Sequence, residues 1–424
     1  MKKILFLTES FPDTRKSAST LCTHRVMEAF ANNAEYEVHC LCSKYPDEEK
    51  IDYQNCIHIH RFERSFFTRI KYRCYIGSNR IFKLLFQCLV MLQKLIAIPF
   101  YPCTNPIMLR RWKTQVKKLH QSESFDIIIA EHHGYETLIA GCWIKKKIPQ
   151  LLSIPILWDP VLGQIATKHL PNSFVKKCIE KEEQYLIKYS DYIISMRSMK
   201  NFYDNYGDYA LSKRLYLDIP GILYPDELIP TKYDSVIEPE YVNILYSGLI
   251  IIPQRDPSKI INLLNKVSIS KKINLIFFCA GNAQSKLNEL RKQFLGKIKI
   301  YNYIPLQELH SLYKKVDYLL NISDINADMT PSKIFEYMSY GKPIISTYVT
   351  PGDAAEKYLV KYPEACIINL NDDIIENIKS LNNFFKKEHR TISFEEVHKE
   401  FINNTPQIYV ETITNIYNNF YNRK

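Results

Sequence analysis

Several familiar signatures are missing from this chain of 424 residues, and each absence narrows what it can be. The eleven cysteines form no C-x-x-C pair and sit mostly inside apolar runs. That excludes a disulfide framework or a cysteine metal cluster and fits reduced, buried thiols in a reducing compartment. There is no G-x-G-x-x-G, so a dinucleotide-dependent dehydrogenase is disfavoured. No fixed-period repeat and no low-complexity tract occurs. The N-terminal MKKILFLTES has too short an apolar run for a secretory signal and reads as a first buried strand. The stretch LLFQCLVMLQ, bracketed by Lys83 and Lys94, has ten uncharged residues, whereas a bilayer needs about 20. Acid is nearly absent between Arg61 and His120, where Glu63 alone faces thirteen Lys/Arg, a local balance of +12 against +11 for the whole chain.

That basic window also carries Phe66, Phe67, Tyr72, Tyr75, Phe82, Phe86, Phe100, Tyr101 and Trp112. A basic, aromatic segment of this kind can lie in an anionic membrane interface, with about 1 kcal/mol per cation. It can equally be a solvated face packed on its own domain. Nucleic-acid binding is the third reading, but no binding motif accompanies the charge.

Hydrophobic content of 46% requires packed cores, and the length calls for two domains. Apolar runs rich in Ile, Leu, Val and Tyr alternate with helical patterns, the rhythm of β-α-β units and parallel sheets. Strands are expected at 3–8, 36–42, 56–62, 126–131, 149–156 and 191–196, then at 242–248, 273–281, 298–304, 316–323, 343–348 and 365–370. The fold class is therefore α/β, with two doubly wound, Rossmann-like domains. The first is expected over 1–222 with the basic segment 61–120, a proline-rich linker over 223–240, and the second domain over 241–393. Helices over 394–424, broken near Pro406, are expected to pack back on the first domain. Ligands of open α/β sheets bind outside the carboxyl ends of the strands, so two facing sheets would share a cleft there.

The loop after the strand ending near Ser323 continues as DMTPSKIFEYMSYGKPII. Thr330 before Pro331 reads as a helix cap, and the free amides of the first turn, with Ser332 and Lys333, would form an anion site. Gly341 ends that helix. Glu336 falls about one and a half turns in, and Asp328 precedes the helix. An ionised carboxylate beside a phosphate site is useful if it accepts from hydroxyls, since it can hold two O–H donors. A diphosphate on the cations, a ribose on Glu336 and a hexose near Asp328 describe a nucleotide-sugar. The plain alternative is that both acids are solvated surface residues.

These residues resemble the GT-B glycosyltransferases, in particular the retaining group called family 4. The likeness is carried by Asp328-x7-Glu336, EYMSYGKPII, the YSGL strand end at Gly248, FFCAGNA around Gly281, and IYNYIPLQELHSLYKKVDYLLNIS. It covers the second domain nearly throughout; in the first only IEKEEQYLIKYSDYIISMRS is similar. The resemblance implies that Glu336 binds the ribose and that Asp328 stands where the family has its first Glu, near the donor hexose. The family's Gly-Arg and following Lys grip the diphosphate; here Leu249 follows Gly248, so Arg255 or Lys259 would supply the charge. Arg255 is favoured because a guanidinium can hold phosphate bidentately. On the acceptor side, Ser17 and Ser19 stand in place of Gly-Gly, His132 and His133 follow the strand DIIIA with Glu131 in the more literal position, and Asp159 resembles an acid after a strand.

The implied activity is transfer of a hexose-type sugar from a nucleoside diphosphate to a lipid-linked or polysaccharide acceptor, with retention, in bacterial surface polysaccharide synthesis. Asp328, Arg255, Asp159 and His133 would be the catalytic residues. No D-x-D is present, so no metal and no cofactor is expected, and developing charge on the β-phosphate would be met by Arg255 and Lys333. The expected location is cytoplasmic, peripheral on the inner membrane face. The rivals are a nucleotide-sugar epimerase of the same architecture and a non-catalytic partner subunit.

Overall fold

Short apolar runs bounded by turn residues and separated by helix-length segments can be covered on both faces, which is what a parallel sheet requires. A computed structural model describes the chain except for residues 12–17, 45–51, 77–78, 133, 160–169, 205–210, 212, 326–329 and 423–424. Ser17, His133 and Asp328 therefore lie outside the described residues. The chain forms two compact units, Met1–Asp218 with Pro406–Lys424, and Ile219–Thr405.

Unit 1 has a main sheet of β1 (Lys2–Leu7), β2 (Tyr36–Lys44), β3 (Tyr53–Gln54), β4 (Ile57–Glu63), β5 (Ile127–Ala130) and β6 (Leu152–Ser153). Their order is β3-β4-β2-β1-β5-β6, parallel throughout except for β3 against β4. A parallel three-stranded sheet follows, β7 (Ile156–Leu157), β8 (Ile193–Met196) and β9 (Arg214–Leu217). The helices are α1 (Ala18–Ala31), α2 (Phe66–Ile76), α3 (Arg80–Ala97), α4 (Pro106–Glu123), α5 (Tyr135–Lys147), α6 (Asn172–Lys188) and α7 (Lys200–Asp204). Trp112 and Val116 of α4 and Leu138 and Ile144 of α5 pack on Leu5 and Leu7 of β1. Each such side chain stabilises the unit by about 1.5–3 kcal/mol when fully buried.

Unit 2 is a six-stranded parallel sheet of β10 (Val242–Ile250), β11 (Ile273–Gly281), β12 (Lys297–Tyr301), β13 (Tyr318–Ile322), β14 (Ile344–Tyr348) and β15 (Ala365–Asn369). The order β12-β11-β10-β13-β14-β15 reverses direction between β10 and β13. That reversal is the topological switch point, where the loops leaving the two strands diverge and a ligand crevice opens. The helices are α8 (Ser258–Leu264), α9 (Gln284–Gln293), α10 (Leu306–Lys315), α11 (Lys333–Ser339), α12 (Glu356–Leu359), α13 (Ile374–Lys386) and α14 (Phe394–Glu400). The chain then returns to unit 1 as α15 (Pro406–Asn422), which packs beside α1. There the Tyr409 hydroxyl donates to Asp218 O at 2.9 Å, and Tyr36 and Thr414 share a 2.7 Å hydrogen bond.

The structure differs from the sequence expectations at several points. The single strand expected over 149–156 is two: Ile154 N still bonds Ile128 O, but Pro155 has no amide to donate and its carbonyl accepts from Ile194 N. From the proline on the chain pairs with β8, while Ile156 still bridges Glu131 just beyond β5. β10 runs two residues past Gly248, to Ile250. The expected linker belongs to unit 2, where the amides of Leu223, Asp226 and Ile229 donate to Ser339 Oγ, Tyr340 Oη and Ser311 Oγ. Of the expected tail helices, α14 belongs to unit 2. Finally, the apolar run between Lys83 and Lys94 is part of a longer rod: Arg80–Phe100, 21 residues, is long and apolar enough by length and composition to cross a membrane. Only Ala97 of α3 is buried.

Candidate functional site

At the switch point of unit 2, the loop after β10 meets the loop after β13. Ile325 N donates to Gln254 O at 3.0 Å, and the Arg255 guanidinium lies 3.5 Å from the Asp324 carboxylate. Arg255 also donates from Nη1 to Leu249 O at 3.3 Å, so its position is fixed while most of its five N–H donors remain available. Two glycines shape this edge. Gly248 has φ +143°, and Gly281, φ +114°, is pressed so closely on β10 that a Cβ would stand 1.9 Å from Ile250 O. Asn282 then fastens the next loop, accepting from Ile252 N at 2.7 Å and donating to Ile252 O at 3.1 Å.

Helix α11 begins at Lys333, not at a cap on Thr330. Ile334 N bonds Pro331 O and Phe335 N bonds Ser332 O, both at 3.3 Å, so the turn preceding the helix already occupies the first amides. Ser332 has helical backbone angles and makes no side-chain cap bond. With seven residues, α11 has little macrodipole, and anion binding here falls to the side chains. Glu336 stands in the first turn rather than one and a half turns in. Gly341 closes the segment as expected, with φ +67° and its amide on Met338 O at 2.8 Å.

Glu336 is buried, and its carboxylate is held by charge and aromatic neighbours. Lys333 Nζ lies 3.3 Å from Glu336 Oε2 and 3.3 Å from the Tyr313 hydroxyl. His310 Nε2 lies 3.9 Å from the same Oε2, while His310 Nδ1 is 2.6 Å from Asp226 Oδ2. That hydrogen bond keeps the Asp226 carboxyl below its ordinary range despite partial dehydration. Beneath them Ser247 Oγ bonds the Tyr313 hydroxyl at 2.5 Å and the Tyr337 hydroxyl at 3.2 Å. Burial first, and the Glu336 charge second, push the Tyr313 phenol well above its usual range, so it stays a neutral donor. The Tyr303 phenol is raised by dehydration while the charges of Lys333 and Arg255 oppose the rise.

Lys333 and Glu336 thus reach the end of β10 through Tyr313, Tyr337 and Ser247, and Arg255 stands on the loop that leaves the same strand past Gly248, bonded to Leu249 O. Lys259 is not brought to them: its amine donates to Leu370 O at 3.2 Å and Asn371 Oδ1 at 3.4 Å, on the loop after β15. Thr330 and Ser332 lie in the turn leading to α11, both partly exposed. In unit 1, Ser19 is in the first turn of α1 and its carbonyl accepts from Thr23 Oγ1 at 3.1 Å. His132 is buried beyond β5, its amide on Ile156 O at 3.0 Å. Asp159 follows β7 and is half-buried. Sequence reasoning missed His310, Asp226, Tyr313 and Asp353. The first and third carry one signal, the i, i+3 spacing that places both on one face of α10. Asp353 is buried on the loop after β14, accepting from Ser323 Oγ at 3.2 Å and Ala355 N at 2.8 Å; burial raises its carboxyl to about 6.

Two doubly wound α/β units, with cations and a buried acid at the switch point of the second, are the class of architecture called GT-B. Solved structures of that fold match over essentially the full length. They include a sucrose-phosphate synthase from Thermosynechococcus elongatus, TM-score 0.67 at 11% identity over 100% of both chains. The lipopolysaccharide outer core galactosyltransferase WaaB in its apo form has TM-score 0.56 at 15% identity, covering 97% of this chain and 98% of its own. HepE from Anabaena in complex with UDP and glucose has TM-score 0.56 at 15% identity, covering 98% and 100%. No curated protein matches the sequence. Residues 243–381 match the family described as glycosyl transferases group 1. That match falls within the second unit, in a chain that has the GT-B fold.

Proposed function

We propose that this chain moves a hexosyl group from a nucleoside diphosphate sugar, bound at the β10/β13 switch point of unit 2, to a lipid-linked or polysaccharide acceptor with retained anomeric configuration. The observation that carries this reading is the approach of Arg255, Lys333 and Glu336 to the end of β10. The Glu336 carboxylate can accept from two vicinal ribose hydroxyls, and the Lys333 ammonium three residues earlier lies 3.3 Å from it. Arg255, already braced by Leu249 O and Asp324, is suited to hold the diphosphate bidentately. As the bond from the anomeric carbon to the β-phosphate oxygen breaks, negative charge grows on that phosphate. Prepositioned cations stabilise it more than they stabilise the intact donor. The neighbour known with UDP and glucose supports a sugar nucleotide as donor class.

Helix α3 supports action at a membrane. Its cations Arg80, Lys83 and Lys94 fall within about 60° of one another on a helical wheel, and the remaining arc is apolar apart from Gln93. Leu84, Leu85, Met91, Leu92, Leu95 and Ile96 are all exposed. This is an in-plane amphipathic element for an anionic leaflet, on the cytoplasmic face where lipid-linked acceptors would meet a soluble donor. A thermal-shift screen of nucleoside diphosphate sugars tests the donor reading. One nucleotide series should raise Tm in the unmodified protein and not in Glu336→Ala; a screen with no hit at millimolar ligand overturns it. Flotation with anionic liposomes at low salt tests the membrane reading, and an unbound protein would end it.

A further inference from the structure

Unit 1 holds a group of histidines that the transfer reaction does not use. His39 on β2 is the register partner of His58 on β4. Residues two apart on a strand share a face, so Glu37, His39, His58 and His60 stand on one side of the main sheet. The His39 ring stacks on His58 at 4.8 Å and on His60 at 5.2 Å. His39 Nε2 is 2.8 Å from Glu37 Oε1, and His39 Nδ1 is 2.9 Å from His60 Nε2. Ligand atoms of Glu37, His39 and His58 all lie within 4.8 Å of one another. Beside them opens a cavity of about 450 Å³ lined by Asp52, His58, His60, Arg61, Gln115 and Lys118. His39 is buried and His58 exposed, which gives an ion a route from solvent to the inner ligand.

We propose that Glu37, His39 and His58 bind a divalent first-row transition-metal ion of the zinc class, with His60 as the outer partner that orients the His39 ring. Two imidazoles and a carboxylate are a donor set for such ions, and three protein ligands leave a fourth position facing the cavity. An outer group on the second ring nitrogen is the usual companion of a ligating histidine. The fixed charges around the group are Glu37, Glu123 and Asp52 against Lys3, with Arg61 and Lys118 on the cavity wall, so acids and cations are equal in number. Lys3 Nζ lies 3.1 Å from Glu37 Oε1 and 3.0 Å from Glu123 Oε2, so Glu37 can turn to a metal while the ammonium stays on Glu123. Tetrahedral ligands about 2.0–2.1 Å from zinc stand roughly 3.3 Å apart, so ligation draws the rings together by a modest rotation. The ion would tie β2 to β4 and stabilise unit 1, with no part in the chemistry of unit 2. The missing D-x-D speaks only to metal at the diphosphate and leaves this face untouched.

The test uses the full-length chain, free of any affinity tag and stripped with chelator. Equilibrium dialysis against Zn(II) with elemental analysis should find one equivalent bound, and Co(II) should give visible d–d bands. Zn(II) should also raise Tm. His58→Ala, at an exposed position, and Glu37→Gln should each weaken binding about 10- to 100-fold, with far-UV circular dichroism and sugar-transfer rate unchanged. Failure of the unmodified chain to bind stoichiometric metal, or equal binding by the double variant, overturns the assignment.

Discussion

In α11 six of seven residues are buried, a glutamate among them, whereas in α3 the only buried residue of eighteen is Ala97. Composition alone would have reversed the two, because α3 is the more apolar. The difference lies in what surrounds each helix. Lys333, His310, Tyr313 and Tyr337 give α11 a polar lining that tolerates a buried carboxylate. Among the described residues, α3 is met mainly by α2, through the Tyr75–Phe86 ring pair and the Lys71–Gln93 hydrogen bond. Among the described residues, the rest of its apolar surface is largely exposed.

The strongest way to break this contrast is Glu336→Ala. Two charge-assisted hydrogen bonds to a ribose correspond to roughly 3–4 kcal/mol, so kcat/KM should fall on the order of 10²- to 10³-fold. Turnover within threefold of the unmodified protein, in a variant that keeps its Tm, would remove Glu336 from the donor site. On the other side, Arg80→Gln, Lys83→Gln and Lys94→Gln together remove about 3 kcal/mol of attraction to an anionic leaflet, roughly 10²-fold in partitioning. Sedimentation with vesicles measures this, and unchanged binding would mean that α3 is not the contact.

Asp353 sharpens the comparison, being a buried acid without a cation like Lys333. Its carboxyl is raised from 3.8 to about 6. The unfolded chain therefore releases this proton first, and the contribution to stability is present below about pH 4 and lost as pH rises to about 6. The loss is on the order of 2–3 kcal/mol. Asp353→Asn should show a smaller fall in Tm between pH 4 and pH 7 than the unmodified protein; superimposable profiles would refute the buried-acid account. The smallest effect is expected from Arg255→Lys, which keeps the charge and loses the fork. Donor KM should rise about tenfold, a 1.4 kcal/mol change, with the fold intact.

The strands of unit 2 were legible because each is a short run rich in apolar and β-branched residues, and the observed ends lie within three residues of those expected. Gly248 and Gly281 were legible as breaks at strand ends, where both take positive φ. What local pattern could not show was pairing at a distance. Asp226 and His310 are 84 positions apart and meet only because the linker lies along unit 2. β7, β8 and β9 needed knowledge that Pro155 changes partner. The start of α11 was misjudged because a threonine before proline offers a cap only if the next amides are free, and here the preceding turn takes them. The alternation IHIHR announced two histidines on one face of β4, but their neighbours Glu37 and His39 come from another strand.

The return of the chain to unit 1 has a consequence for biosynthesis. The ribosome releases Met1–Asp218 and then all of unit 2 before α15 emerges. Until then α1 lacks the helix that packs beside it, and Tyr36 lacks the Thr414 hydroxyl. The first unit to be translated is thus the last to be finished, and a message truncated by twenty codons would spare the glycosyltransferase domain while leaving its partner unsealed.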